Sequence, residues 1–153
     1  MNQLTEMQKA YIAGFIDGEG CIRVRRMRSR GKVCEFNFEA QVIVTNTNLD
    51  ILEKLKNITG IGTLYVYKKF PKEGEGKWKP CHRWQVVSSQ AEDLLNAIYP
   101  YLEIKRKQTE AVLNFPYVGK GHRRTQEEYD NQMQHFSQIK EMNKRGVLAL
   151  EGD

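Results

Sequence analysis

The stretch Tyr11-Ile12-Ala13-Gly14-Phe15-Ile16-Asp17-Gly18-Glu19-Gly20 constrains this chain more than any other, because it combines small residues and acids in an apolar helix. Ala13, Gly14 and Gly18 read as one stripe of that helix. Glycine costs roughly 1 kcal/mol in a helix interior relative to alanine, a cost tolerated where two helix backbones must approach closely. The helix then closes on Asp17-Gly18-Glu19-Gly20, which puts two acids at its C-terminus. That end of the macrodipole is already negative. A positive partner belongs beside it, and a divalent metal is the natural candidate.

A chain of 153 residues is expected to form one domain over 1–153, long enough for a sizeable core. Its net charge of +5 and pI of about 9.1 point to an acidic partner. Arg23, Arg25, Arg26, Arg28, Arg30 and Lys32 concentrate that charge in one short segment. Cys21, Cys34 and Cys81 are odd in number and lack metal-like pairing, so a reducing intracellular setting is expected. Cys81-His82 has no second pair to complete a zinc site. No apolar run suits a bilayer or a signal peptide. The expectation is a soluble protein with no membrane partner, held in the cytoplasm, nucleoid or organelle and not secreted.

Thr5, with Gln8 three residues on, predicts a capping box for a first helix running to about Asp17. Two strands follow over 21–28 and 33–45, joined by a turn at Ser29-Arg30-Gly31-Lys32. In the second, Phe36, Phe38, Ala40, Val42 and Val44 alternate with Asn37, Glu39, Gln41, Ile43 and Thr45, giving one apolar and one mainly polar face. Asn48 opens a second helix that stops at Gly60. A third strand is expected over 62–69, a loop over 70–79 and a fourth strand over 81–87. Ser88 or Ser89 is expected to cap a third helix ending at Tyr99-Pro100. Further helices are expected over 102–115 and 125–144. Two hairpins and interspersed helices predict an α+β fold with helices on one face of a sheet. The core would span about 5–115, with a helical extension over about 116–145.

Residues 12–20 resemble the signature of the LAGLIDADG homing endonucleases, with conservative changes at Ile12, Phe15 and Gly18 and with Glu in place of Asp at position 19. One copy is present, which is similar to the single-motif members that act as homodimers. The resemblance implies an αββαββα order with a four-stranded, mainly antiparallel sheet. It implies a dimer contact through Ile12, Ala13, Gly14, Ile16 and Asp17, with Asp17 serving the helix end and packing. It also implies that Glu19 and the Gly18 carbonyl hold Mg²⁺ or Mn²⁺. No small-molecule cofactor is implied.

Tyr99-Pro100-Tyr101-Leu102-Glu103-Ile104-Lys105-Arg106-Lys107-Gln108 resembles the family's Pro-aromatic-Leu-x-x-Lys-x-x-Gln segment. Lys105 thereby falls at the family's active-site lysine, where it would polarise solvent or stabilise phosphate charge. Asn46 stands where the family commonly has Gln, and a shorter amide can still orient a water. The family's active-site arginine has no clear counterpart here; Asp50 lies nearby instead. The activity implied is a metal-dependent double-strand cut in a long, partly palindromic DNA target, encoded within an intron. Two other readings share the basic sheet: an RNA-binding intron maturase, and a DNA-binding protein that has lost cleavage.

A two-stranded ribbon fits a major groove about 12 Å wide. Arg23 and Arg25 on the first strand, with Asn37, Glu39 and Gln41 on the second, are expected as base readers, since each type matches a base edge. Tyr65, Tyr67 and Lys69 share a face of the second hairpin, as do Arg83 and Gln85. Arg28, Arg30 and Lys32 at the hairpin tip suit phosphates. Ten strand residues span about 33 Å, roughly one duplex turn.

Overall fold

A computed structural model describes residues 1–30, 34–67, 79–119 and 121–144. Thr5 caps α1 (Glu6–Glu19) through the expected box, its hydroxyl accepting from the Gln8 amide while the Gln8 side chain accepts from the Thr5 amide. The helix runs two residues beyond Asp17 and hands directly to β1 (Gly20–Arg28). Gly20 is required at that junction: a Cβ there would lie 2.8 Å from the Ile16 carbonyl oxygen.

β1 pairs antiparallel with β2 (Phe36–Asn46), from Gly20 opposite Val44 to Arg28 opposite Phe36. After α2 (Leu49–Thr59), capped by Asn48 and closed by left-handed Gly60, come β3 (Thr63–Tyr65) and β4 (His82–Val87). The sheet order is β1-β2-β4-β3, antiparallel throughout. β3 is shorter than the expected 62–69. At Tyr67 the backbone amide donates to His82 Nδ1 at 3.2 Å, a side-chain acceptor that replaces a ladder partner. The expected loop over 70–79 falls almost wholly outside the described residues, as do Gly31 and Lys32 of the first hairpin turn.

Helix α3 (Ser88–Ile98) starts without a side-chain cap, contrary to the expectation for Ser88 or Ser89. Ser88 instead takes a left-handed φ of 54° and its hydroxyl donates to Glu39 Oε2 at 2.6 Å. A 3-10 turn at Tyr99–Tyr101 precedes α4 (Arg106–Leu113), which begins four residues later than expected. The delay has a cause: Leu102 is extended, and the amides of Glu103 and Lys105 are taken by the Asp17 carboxylate. Thr125 and Glu128 form a second capping box at the start of α5 (Gln126–Met142).

The apolar strand faces carry the core. Ile22, Val24, Ala40, Val42, Val44, Trp84 and Val86 pack with Leu52, Leu55, Leu94, Leu95 and Ile98 of α2 and α3. Trp84 is anchored by its indole N–H on the Ile61 carbonyl at 3.1 Å. Gly62, at φ 85°, is held to glycine both by that conformation and by Trp84 Nε1, 2.6 Å from where a Cβ would stand. Ile12, Ala13 and Ile16 of α1 join the same core at 0% exposure. Removing any one large member of such a core costs about 2–5 kcal/mol. Among the described residues no helix is long and apolar enough to cross a membrane.

Candidate active site and nucleic-acid interface

The C-terminus of α1 is tied to the chain before α4 by one buried acid. Asp17, 8% exposed, accepts the Glu103 amide at 2.7 Å on Oδ2 and the Lys105 amide at 2.9 Å on Oδ1. The Lys105 ammonium donates to the Asp17 backbone carbonyl. Burial pushes the Asp17 carboxyl up, but the Glu103, Lys105 and Ile104 amides and the Lys105 charge outweigh it. The net result lies below the ordinary carboxylate range. Two residues on, Glu19 is exposed at the helix end, and Gly18 is exposed beside it. The last turn of α1 contains no base.

The expected dimer contact requires correction. Ile12, Ala13 and Ile16 are already fully buried in their own protomer, so their side chains have no surface left to offer another chain. Asp17 is occupied inside the protomer by the bonds just described. Of the five residues expected there, Gly14 alone is exposed. The outward stripe of α1 is Met7, Tyr11, Gly14 and Gly18, spaced four, three and four residues apart. Met7 is 84% exposed, and a Cβ at Gly14 or Gly18 would meet nothing within 4 Å.

Asn46 continues β2 past Val44, the partner of Gly20, and so lies toward the same end of the sheet as Glu19. Its Oδ1 accepts the Asn48 amide at 2.8 Å, which turns the chain into α2 and leaves the amide NH₂ as its remaining polar end. Asp50 stands exposed in the first turn of α2.

The Glu19 carboxylate and the Gly18 carbonyl are oxygen donors, the type a hard divalent cation takes. Among the described residues no group of three or more His, Cys, Asp or Glu could enclose an ion. Glu19 and Gly18, the residues expected to hold a metal, lie exposed together at the end of α1.

On the polar face of the sheet the expected readers divide into exposed and buried residues. Arg23 is exposed, with its Nε donating to Gln41 Oε1 at 2.7 Å. Gln41 itself is 1% exposed, which corrects the expectation of an exposed base reader. Arg25 forms an ion pair with its cross-strand partner Glu39 and donates to Met27 Sδ at 3.0 Å. Asn37 is exposed and accepts from Arg124 Nη2 at 2.7 Å. The Arg124 contact went unseen in the sequence because it spans 87 positions; the Arg123-Arg124 pair before α5 was its one signal.

Arg83 sits between Thr45 and Tyr65 across the ladders, and Gln85 between Ile43 and Thr63, so the second hairpin extends the same face. Thr45, expected on this polar face, and Thr63 are exposed there, though neither was among the expected base readers. Tyr65 and Tyr67 are 41% and 44% exposed. Arg28, in the last pair of the ladder, and Arg30 beyond it are exposed, while Lys32 and Lys69 lie outside the described residues.

The class of the fold, an α+β sheet with exposed arginines and an acid-ended, glycine-striped helix, is identified by comparison with known proteins. The LAGLIDADG endonuclease family model matches residues 12–115, more than half of the chain. The chain belongs to that family. It is 26% identical over 110 residues to DNA endonuclease I-CvuI of Chlorella vulgaris; the match covers 71% of this chain and 63% of that protein, less than two thirds of its length. The fold is similar to a crystal structure of I-CvuI in complex with a DNA target in the presence of Mg, with TM-score 0.58 and 22% identity. That similarity covers 88% of this chain and 96% of the other. An archaeal intron-encoded homing endonuclease, I-Vdi141I, complexed with DNA, gives TM-score 0.65 at 16% identity over 92% of this chain and 87% of its own.

Proposed function

We propose that this protein is a homodimeric, divalent-metal-dependent homing endonuclease that makes a site-specific double-strand cut in a long, partly palindromic DNA target, and that it is intron-encoded. The observation that carries the reading is the Asp17 clamp. It holds the Lys105 backbone and ammonium at the same helix end from which Glu19 projects. A carboxylate and an ammonium held at one helix end supply the two groups that phosphodiester hydrolysis uses, a ligand for a hard cation and a positive charge for the phosphate.

Glu19 and the Gly18 carbonyl would hold Mg²⁺ or Mn²⁺, which when bound supplies charge neutralisation and an activated water. Lys105 supplies a positive charge and N–H donors for the negative charge that grows on the scissile phosphate. Asn46, with its oxygen held by Asn48, keeps NH₂ donors for solvent at the same end of the sheet. The polar sheet face follows the duplex, and Arg28 and Arg30 contact its phosphates. The Gly14 and Gly18 stripe of α1 meets its counterpart across a two-fold axis, bringing one Glu19 to each DNA strand. The compartment is the one that houses the host intron.

The test is incubation of the protein with a duplex library and Mg²⁺, followed by sequencing of the cut ends. Recurrent paired cuts at one long site are expected. Selective binding with no cutting in Mg²⁺ or Mn²⁺ would leave the cleavage-inactive reading, and preference for intron RNA over duplex DNA would leave the maturase reading.

A further inference from the structure

Two arginines on the polar sheet face are held by acceptors of different charge, and the difference assigns them different work. Gln41 lies directly across from Arg23 in the β1–β2 ladder and is buried, its amide oxygen accepting from Arg23 Nε at 2.7 Å. Two positions along, Glu39 is paired with Arg25 and also accepts from Ser88 Oγ at 2.6 Å. Ser88 keeps a left-handed φ of 54° that non-glycine residues rarely adopt, so the β4–α3 junction holds its hydroxyl on Glu39.

Resting on the proposed reading of a DNA target, we propose that Gln41 is a positioning residue for Arg23, and that Arg23 rather than Arg25 is the guanine reader of this pair. A long arginine side chain loses rotamer freedom when it docks. A buried amide holding Nε removes much of that freedom beforehand. It does so without using either terminal nitrogen, the fork that meets guanine O6 and N7. Because Gln41 is neutral, Arg23 keeps its whole charge. Arg25 is compensated by Glu39, and its Nη2 is already engaged with Glu39 and Met27. Glu39 thus fixes Arg25 as part of the surface and withholds its charge from the DNA.

The test is a double-mutant cycle read by selection from randomised duplexes, without cleavage, in Ca²⁺. Arg23→Ala should erase a guanine preference at one position in each half-site. Gln41→Met, apolar and of similar size, should weaken that same preference about tenfold, within the range one bidentate contact commands. In the Arg23→Ala background Gln41→Met should have no further effect, and with Arg23 present Gln41→Glu, which keeps an acceptor but pairs the guanidinium as Glu39 pairs Arg25, should also weaken the preference. Equal effects of Gln41→Met in both backgrounds, or a loss at positions that Arg23→Ala leaves alone, would overturn the inference while leaving the proposed function intact. A wild-type protein without any duplex preference would remove both. An independent readout needs no variant: the Arg23 Nε–H should give a slowly exchanging NMR signal in the free protein, and a rapidly exchanging one would overturn the assignment.

Discussion

Lys105 touches Asp17 twice: its backbone amide donates to the carboxylate at 2.9 Å, and its ammonium donates to the backbone carbonyl of the same residue. Through this double contact the end of α1 and the segment before α4, 88 positions apart in sequence, are held as one unit. Asp17, an acid at a negative helix end, accepts N–H groups from another part of the chain.

Asp17→Asn should therefore destabilise the protein. An amide has one acceptor oxygen where the carboxylate has two, and a stranded buried N–H costs about 1–3 kcal/mol. The pH dependence follows from the depressed carboxyl. The folded value lies below the ordinary 3.8, so the stabilisation is complete above that value and is lost as pH falls through the folded one. Acid unfolding followed by circular dichroism should show a steeper decline for wild type than for Asp17→Asn below about pH 4. Parallel curves would show that the clamp contributes nothing to acid stability.

Assembly gives a prediction that separates folding from association. Gly14 faces open space in the protomer, so Gly14→Leu should leave the protomer folded, and the helix itself should gain up to about 1 kcal/mol in propensity. The dimer should be lost, because a side chain would hold the two helix backbones apart. Sedimentation would then find a folded monomer that no longer makes paired cuts. A Gly14→Leu dimer as tight as wild type would place the contact elsewhere.

The sequence-level reading fared unevenly along α1, and the reason is physical. The capping box, the helix and its acid-ended close were legible because they depend on neighbours three or four residues away. The exposed stripe was misjudged at Ala13. A small residue can serve a close contact on either side of a helix, and only the packing of Ile12 and Ile16 against the sheet decides which. The same holds on β2. Its two-residue alternation put Gln41 on the polar face, yet its burial and its bond to Arg23 depend on packing that the alternation does not show. The late start of α4 was hidden for a further reason: local propensity favours helix from Leu102, while the competing acceptor, Asp17, sits far away in sequence. Lys105 was legible through its motif; its two bonds to Asp17 were not.

Glu19→Gln retains shape and removes the charge that a hard cation requires. Binding to the mapped target should survive, since the sheet face supplies most contacts and loses none. Cleavage in Mg²⁺ should fall by several orders of magnitude, and Ca²⁺ should support binding better than turnover. Single-turnover rates with equal occupancy of wild type and variant would decide it. A near-normal rate for Glu19→Gln would remove the metal site from the mechanism.

Lys105→Met offers the finer test, because Lys105 has two roles that respond to different changes. Its backbone amide holds Asp17, and methionine keeps that bond, so folding and DNA binding should remain close to wild type. The ammonium is lost, and with it both its bond to the Asp17 carbonyl and the donor proposed for the developing phosphate charge. Removing such a donor typically slows the chemical step on the order of 10²–10³-fold, a smaller loss than that expected for Glu19→Gln. Lys105→Arg should recover only part of the rate, since a planar fork replaces a compact point charge at a site that also offers the Asp17 carbonyl. Single-turnover cleavage as a function of pH would complete the case. Lys105→Met should lower the rate by a constant factor across neutral pH if the ammonium acts as a fixed charge. A loss that deepens or vanishes with pH would instead make Lys105 a proton-transfer group, and an unchanged rate would confine it to holding the end of α1.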